Sequence, residues 1–287
     1  MFNLYDISQI KQLLKNHQFK FTKSLGQNFI TNPEICPNMA EMCSQNADSA
    51  VLEIGPGIGV LTVELAKRFK KVVSVEIDKH LIPILAETTS DFDNIKVIND
   101  DILKIDLNDI LKNEFSEYSE VNICANLPYY ITSDIIMYIL ENNPGFNSLT
   151  IMIQKEAAQR ICAEPGTRES GAISLAVRYY GTPEILFDVN RNCFIPFPNV
   201  DSCVIRIDLR NQNADKVKNP KFFFKVVKAA YSKRRKNLLN SLSSGLNFTK
   251  DEVGKVLKIC NIDSNYRAEQ LKFQEFVNIT DEFLNLK

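Results

Sequence analysis

The chain has 287 residues, 45% of them hydrophobic, and its 34 Lys and Arg against 35 Asp and Glu give a formal charge of −1. This length and apolar content predict about two domains with a large core, and only two histidines argue against a multi-histidine metal site or a Ser–His triad. Taken alone, the balanced charge argues against a nucleic-acid partner, because nucleic-acid-binding domains are usually basic.

The cysteines and the hydropathy pattern predict where the protein works. There are seven cysteines, an odd number with no C-x-x-C pair, which indicates free thiols in a reducing compartment and no zinc site. The longest uncharged runs, such as 121–133, have 13 residues, whereas a membrane span needs roughly 20. Residues 1–15 lack the apolar core of a signal peptide. We therefore expect a cytoplasmic protein without a membrane segment or a metal ion.

The first predicted helix begins at Asn32 and Pro33 and runs to about Asn46. From residue 50 onward, short apolar runs rich in Val and Ile alternate with helical patterns, which predicts a doubly wound α/β domain with a parallel sheet. The strands are predicted at 50–54, 71–76, 95–98, 121–125 and 149–154, the intervening helices at 60–69, 79–87, 105–112 and 132–141, and a closing strand pair at 183–189 and 203–209.

The strand patterns stop after a polar, aperiodic stretch at 210–220, which is the predicted linker. One long helix is expected at 221–242. Thr249 and Glu252 then form a capping box at the start of the next helix, and a last helix is expected at 273–284. The chain thus divides into residues 1–210, an α/β domain with an N-terminal helical extension, and residues 211–287, a small all-α domain.

A glycine-rich turn after the first strand of the sheet allows the backbone to approach a ligand at the carboxyl edge. Glu76 ends the second strand, 21 residues after Gly55, where its carboxylate can accept hydrogen bonds from ribose hydroxyls. Asp101 and Ile102 follow the third strand and can hold the edge and face of an adenine. The glycine spacing is G-x-G-x-G, whereas loops that bind the phosphates of a dinucleotide have the spacing G-x-G-x-x-G, so S-adenosylmethionine is favoured as the cofactor. The alternative interpretation is a tight strand–helix turn that binds no ligand. The remaining candidate cofactor residues of these stretches are Glu53, Gly57, Gly59 and Ile77.

The fourth strand ends in Asn126-Leu127-Pro128-Tyr129, which matches the [DNS]-P-P-Y-like loop of methyltransferases that modify exocyclic amino groups. The 6-amino group of adenine is a poor nucleophile because its lone pair is delocalised into the ring. The side-chain oxygen of Asn126 and the backbone carbonyl of Leu127 can accept both amino hydrogens and favour a pyramidal nitrogen. Tyr129 can stack on the base. The alternative interpretation is a β-turn with an asparagine cap.

Seven stretches together resemble the ribosomal RNA adenine dimethyltransferases of the small-subunit (KsgA/RsmA) type over about residues 20–210, and the basic segment 225–242 extends the resemblance. The stretches are 23–29 (KSLGQNF), 53–62, 75–78 (VEID), 99–101 (NDD), 126–129 (NLPY), 154–160 (QKEAAQR) and 194–202 (FIPFPNVDS). The resemblance implies a Rossmann-like class I SAM-dependent methyltransferase fold with a small all-α C-terminal domain.

The resemblance also implies roles that the residue patterns alone do not assign. The segment around Asn28 and Ile30 lies over the methionine part of the cofactor in that family. Phe194 would hold the target adenine against Tyr129, although from sequence alone it is a core residue at a strand entry. The cofactor contacts implied by position are Asn28, Ile30, Gly55, Glu76, Asp101 and Asn126.

The charge is distributed unevenly along the chain. Segment 84–120 has 10 acidic and 3 basic residues, whereas segment 216–236 has nine basic residues and no acidic one. On the predicted long helix, one face would carry Lys221, Lys225, Lys228 and Arg235, flanked by Lys233, Arg234 and Lys236. A run of like charges is usually a solvated helix face, but nine cations without a counter-charge favour a surface for RNA phosphates.

The resemblance implies an enzyme that transfers methyl groups from S-adenosylmethionine to the 6-amino groups of two adjacent adenosines in the 3′-terminal hairpin of 16S rRNA. It would act as a monomer on the small ribosomal subunit during ribosome biogenesis. Three alternatives remain: a large-subunit rRNA adenine methyltransferase conferring macrolide resistance, a non-catalytic RNA-binding assembly or transcription factor, and a dinucleotide-dependent dehydrogenase.

Overall fold

The structure is a computed structural model that describes residues 2–21, 26–210, 213–233 and 235–286. The chain forms two compact units, one of residues 1–158 and 184–210, the other of residues 159–183 and 211–287. Residues 159–183 therefore group with the C-terminal residues, whereas a division at residue 210 places them with the α/β domain.

In the first unit, the strands of a sheet alternate with helices along the chain. Its helices are α1 (Ile7–Asn16), α2 (Ile35–Cys43), α3 (Val60–Arg68), α4 (Ile82–Thr88), α5 (Leu107–Glu114) and α6 (Thr132–Glu141), followed by the start of α7 (Lys155–Cys162). The strands are β1 (Phe29–Ile30), β2 (Ala50–Ile54), β3 (Lys71–Glu76), β4 (Ile95–Asn99), β5 (Val121–Asn126), β6 (Ser148–Gln154), β7 (Thr182–Val189), β8 (Phe194–Ile195) and β9 (Ser202–Asp208).

The main sheet has seven strands in the order β4-β3-β2-β5-β6-β9-β7. Strands β2 to β6 pair in parallel, and β9 is antiparallel to β6. All five residues of β2 are buried, as expected for a central strand covered on both faces. The predicted α/β fold is confirmed. The strand order reverses between β2 and β5, which is where open α/β sheets bind ligands.

Helix α2 begins later than predicted. The side-chain oxygen of Asn32 accepts a hydrogen bond from the backbone N–H of Glu34 at 2.9 Å, which forms a turn before the helix rather than its cap. The helix then runs from Ile35 to Cys43. The predicted N-cap at Asn32 is therefore two residues too early, and the predicted end near Asn46 is three residues too late.

The second unit is helical and has its own core. Its helices after α7 are α8 (Ala172–Tyr180), α9 (Pro220–Tyr231), α10 (Leu238–Leu246), α11 (Lys250–Ile259) and α12 (Phe273–Asn285). Leu175 and Tyr179 of α8 are buried with Phe223 of α9 in this core, which explains why residues 159–183 belong here. The predicted capping box is confirmed, because Thr249 and Glu252 exchange backbone-to-side-chain hydrogen bonds of 2.8 and 3.3 Å.

The single long helix predicted at 221–242 is wrong. Helix α9 ends at Tyr231, and the hydroxyl of Ser232 donates to the carbonyl of Ala229 at 2.7 Å. Asn237 then caps a new helix by accepting from the backbone N–H of Asn240 at 3.1 Å. Lys233, Arg235 and Lys236 lie between the two helices.

No helix in the described ranges of the chain is both long enough and apolar enough to cross a membrane.

Candidate active site

The glycine-rich turn after β2 depends on three left-handed backbone positions. Gly55, Gly57 and Gly59 have φ values of +68°, +62° and +90°, which L-residues with a Cβ rarely adopt. A Cβ on Gly57 would lie 3.2 Å from the ring of Phe29, and one on Gly59 would lie 2.9 Å from the hydroxyl of Thr88. Both the backbone geometry and the packing of this turn therefore require glycine.

The Glu76 carboxylate, at the end of β3, fixes this turn. One of its oxygens accepts from the backbone N–H of Gly57 at 3.1 Å, and the other accepts from the backbone N–H of Asp78 at 2.8 Å. Burial of the side chain, which is 4% exposed, raises the pKa of Glu76 above its ordinary value. An ionised carboxylate has about four lone-pair sites, so two acceptor sites remain beside the cavity for ligand hydroxyls.

Glu53 lies behind the glycine turn, within β2, and is 1% exposed. Its Oε2 accepts from the hydroxyl of Ser74 at 2.6 Å, and its Oε1 has no hydrogen-bond partner in the part of the chain that the structure describes. Desolvation raises the pKa of Glu53 to about 7. Glu53 therefore supports the turn from the core and does not reach the cavity surface.

The segment 26–30 crosses the cavity from the N-terminal side. Strand β1 pairs with β8, with Phe29 opposite Ile195 and Ile30 opposite Phe194. The side-chain amide of Asn126 donates to the backbone carbonyl of Asn28 at 3.4 Å. The N-terminal segment thus contacts the end of β5.

The loop after β5 is anchored at its second and third residues. The backbone N–H of Leu127 donates to the carbonyl of Met152 at 3.1 Å, and the carbonyl of Pro128 accepts from the hydroxyl of Thr132 at 3.0 Å. Within the described ranges, the carbonyl of Leu127 and the side-chain oxygen of Asn126 have no hydrogen-bond donor. These two acceptors belong to consecutive residues at the end of the strand, and both residues line the same cleft.

Tyr129 completes this loop. Its hydroxyl forms a 2.6 Å hydrogen bond with the hydroxyl of Ser202, the first residue of β9. Burial raises the pKa of Tyr129 above its ordinary value, so the phenol stays neutral. The ring is held at its polar end, and its partial exposure leaves surface for a contact with a flat ligand.

These elements surround an open cleft at the carboxyl edge of the sheet. The sequence-predicted residues that line it are Asn28, Ile30, Gly55, Gly57, Glu76, Ile77, Asn126, Leu127, Pro128 and Tyr129. The lining residues that sequence reasoning missed are Gly26, Gln27, Phe29, Pro56, Ile58, Val60, Leu61, Leu81 and Tyr130. Most of them are neighbours of predicted residues in the same motifs.

Five predicted residues are not among the described residues that line the cleft. These are Glu53, Gly59, Asp101, Ile102 and Phe194. Asp101 accepts from the backbone N–H of Leu103 at 3.1 Å and pairs with the Lys104 ammonium at 3.3 Å, while Ile102 is buried. Phe194 is 1% exposed and packs in the core of the first unit, so the structure does not bring it to the cleft beside Tyr129.

The predicted RNA-contacting cations lie on α9 and in the turn that follows it. Lys221, Lys225 and Lys228 are exposed on one face of α9. Contrary to the prediction, Arg235 does not share their face, because the helix ends before it. Lys233, Arg235 and Lys236 are exposed in the turn, and Arg234 lies outside the described residues. Among the residues that the structure describes, no group of His, Cys, Asp and Glu is arranged to hold a metal ion.

The chain is similar to known ribosomal RNA methyltransferases over nearly its whole length. The ribosomal RNA small subunit methyltransferase A of Alkaliphilus metalliredigens (strain QYMF) is 45% identical over 276 residues, covering 96% of each chain. The solved 23S rRNA methyltransferase ErmE is 25% identical with a TM-score of 0.68, covering 88% of this chain and 98% of its own. A solved dimethyladenosine transferase from Plasmodium falciparum is 24% identical with a TM-score of 0.71, covering 89% and 97%. The ribosomal RNA adenine dimethylase family model matches residues 18–285, so this chain belongs to that family.

Proposed function

We propose that the protein transfers methyl groups from S-adenosylmethionine to the 6-amino groups of two adjacent adenosines in the 3′-terminal hairpin of 16S rRNA, giving dimethyladenosines. The observation that carries the proposal is the pair of available acceptors, the Asn126 side-chain oxygen and the Leu127 carbonyl, beside the cleft built by the glycine turn. The relative from Alkaliphilus metalliredigens is named for methylation of small-subunit ribosomal RNA, which supports this substrate.

The residues of the cleft fit the proposed cofactor. Glu76 keeps two acceptor sites for ribose hydroxyls after its bonds to the glycine turn. Ile77 is 53% exposed and lines the cleft, so it offers apolar surface to a base. Asn28 and Ile30 line the same cleft. The cofactor supplies a sulfonium-bound methyl group that is already activated for transfer.

The protein's part in the reaction is to position and stabilise. The two acceptors at Asn126 and Leu127 would take the two hydrogens of the amino group, which keeps the nitrogen pyramidal with its lone pair available. Positive charge that develops on the nitrogen is stabilised by the same two oxygens. No general base is required at this stage, and in-line placement supplies much of the remaining rate enhancement. Because Asn126 is neutral, it also suits a site that must bind a monomethylated amine for a second transfer.

We assign RNA contact to the second unit. Lys221, Lys225 and Lys228 form an exposed cationic face on α9, which suits phosphates rather than base edges. Residues 1–158 and 184–210 then form the cofactor-binding unit, and residues 159–183 and 211–287 form the RNA-contacting unit. The seven cysteines are free thiols, which supports a reducing cytoplasmic setting, and we propose a monomer as the active form.

The test is mass spectrometry of adenosines after the protein and S-adenosylmethionine are incubated with small ribosomal subunits from an unmethylated source. We expect two adjacent dimethyladenosines in the 3′-terminal hairpin. Protein-free large-subunit rRNA serves as the parallel substrate. Methylation of the large-subunit RNA alone would indicate the macrolide-resistance activity instead, and RNA binding without methyl transfer would refute an enzymatic role.

A further inference from the structure

A second cleft lies at the same carboxyl edge of the sheet, directly beside Tyr129. Ser202, the hydroxyl partner of Tyr129, pairs with Gln154 at the end of β6. The next backbone N–H, that of Lys155, donates to the carbonyl of Asp201 at 3.0 Å. Gln154, Lys155 and Asp201 all line this cleft, so it begins one residue away from the tyrosine of the candidate active site.

The far wall of this cleft is a built loop. The Arg191 backbone N–H donates to the Asp201 carboxylate at 3.0 Å, and the Arg191 guanidinium donates to the carbonyl of Asn199 at 3.3 Å. Asn190 accepts from the backbone N–H of Asn192 at 2.9 Å, which caps a short 3₁₀ turn. These bonds hold the positions from which the side chains of Asn192 and Asn199 extend.

Three side-chain amides in the cleft are available to a ligand. Within the described residues, the amide groups of Gln154, Asn192 and Asn199 make no hydrogen bond to protein atoms, and all three residues line the cleft. Each amide offers a donor and an acceptor in one plane. This pattern matches the N6 and N7 edge of adenine, which asparagine and glutamine recognise through paired hydrogen bonds.

The charges in the cleft do not favour a phosphate. Lys155 and Arg191 are balanced there by Glu156 and Asp201, and the Lys155 ammonium is already paired with Asp188 at 2.6 Å. A neutral, amide-rich cleft is suited to a nucleobase rather than to the RNA backbone.

We propose that, when the first adenosine of the pair is methylated, this cleft binds the adjacent base, and that Asn192 and Asn199 recognise it as adenine through its still unmethylated N6 and N7 edge. The inference rests on the proposed function, since it needs a substrate with two neighbouring adenosines. It identifies the cleft as the element that makes the enzyme select an adenine pair rather than any flipped adenine.

The test compares unmethylated small subunits whose rRNA carries the natural adenine pair with subunits in which either adenine is replaced by uracil. The unmodified protein is expected to methylate the pair with a roughly 5- to 100-fold higher kcat/KM than the single adenine, the range for one amide–base recognition. The double variant with Asn192→Ala and Asn199→Ala is expected to lose this preference. Its kcat/KM should fall for subunits with the adenine pair and stay unchanged for subunits with a single adenine. Its KM for S-adenosylmethionine should not change.

Asn113→Ala is the matched control, because Asn113 is an exposed amide on α5 outside the cleft. It should retain the full preference for the adenine pair. If the double variant also retains that preference, or if the unmodified protein shows none, the cleft does not read the neighbouring base and the inference is overturned. Failure of the unmodified protein to methylate any of the subunits would instead refute the proposed function itself.

Discussion

The buried Glu53 carboxyl gives the stability of the first unit a specific pH dependence. Desolvation raises its pKa from 4.5 to about 7 in the folded protein, while the unfolded chain returns it to its ordinary value. Between these two pH values the folded state holds a proton that the unfolded state has lost. The free energy of unfolding therefore falls as the pH rises through this window and levels off above about pH 7.

The magnitude follows from the width of the window. Each pH unit of difference in pKa is worth about 1.4 kcal/mol, so the rise from 4.5 to about 7 corresponds to about 3 kcal/mol. Glu53→Gln keeps the shape but cannot titrate. Burying the amide nitrogen of the glutamine without a partner lowers the free energy of unfolding of the variant. This cost is the same at every pH. The stability difference between variant and wild type should therefore move by about 3 kcal/mol in favour of the variant from pH 4.5 to pH 8.

The assay is urea unfolding at several pH values without cofactor, followed by circular dichroism because the chain has no tryptophan. Glu41→Gln on the exposed surface of α2 is the matched control, and its effect should stay within about 0.5 kcal/mol at every pH. Ser74→Ala removes the hydroxyl that donates to Glu53 at 2.6 Å, a hydrogen bond that lowers the pKa of Glu53. In this variant the fall in the free energy of unfolding with rising pH should therefore continue to a higher pH than in the wild type. A difference between Glu53→Gln and wild type that does not change with pH would refute the reasoning.

Three further predictions concern catalysis, the glycine turn and RNA binding. Asn126→Ala should lower the single-turnover rate of methyl transfer, measured at saturating cofactor, by at least about 100-fold; full activity would contradict its proposed role. Gly59→Ala should cost about 1–3 kcal/mol in urea unfolding, since its φ is +90° and its Cβ would lie 2.9 Å from a threonine hydroxyl. Gly254→Ala on α11, whose Cβ would have one neighbour at 4.0 Å, should instead stabilise by about 0.4–1 kcal/mol. Replacing Lys225 and Lys228 with Ala should make the dependence of RNA affinity on salt less steep. The magnitude of the slope of log affinity against log salt should fall by about 0.7–0.9 for each phosphate that is no longer neutralised. An unchanged slope would exclude both lysines as phosphate ligands.

The sheet and the core of the site were predictable because their signals are local. Buried parallel strands are short apolar runs, and a turn that needs left-handed φ values selects glycine, so β2, Gly55 and Gly57 could be placed from sequence. Asn126 and Leu127 could be placed because the motif Asn-Leu-Pro-Tyr comes directly after an apolar strand pattern. These features depend on residues a few positions apart.

Prediction fails where local signals compete or where the tertiary fold decides. The basic run 233–236 has the composition of a continuing helix, although Asn237 is an N-cap residue type and does begin a new one. The positions of Asp101 and Phe194 depend on how whole loops pack against the sheet. Phe194 is buried at the start of β8, as the sequence alone indicates, whereas the contact with Tyr129 that the resemblance implies stays a prediction.

The short pairing of β1 with β8 also has a thermodynamic consequence. One strand continues the segment over the cofactor cleft, and the other precedes the loop that contains Asn199. A ligand that orders either strand reduces the conformational entropy that the second ligand must still remove. Any coupling of cofactor and RNA through this pairing must be reciprocal, so that each ligand changes the affinity for the other by the same factor.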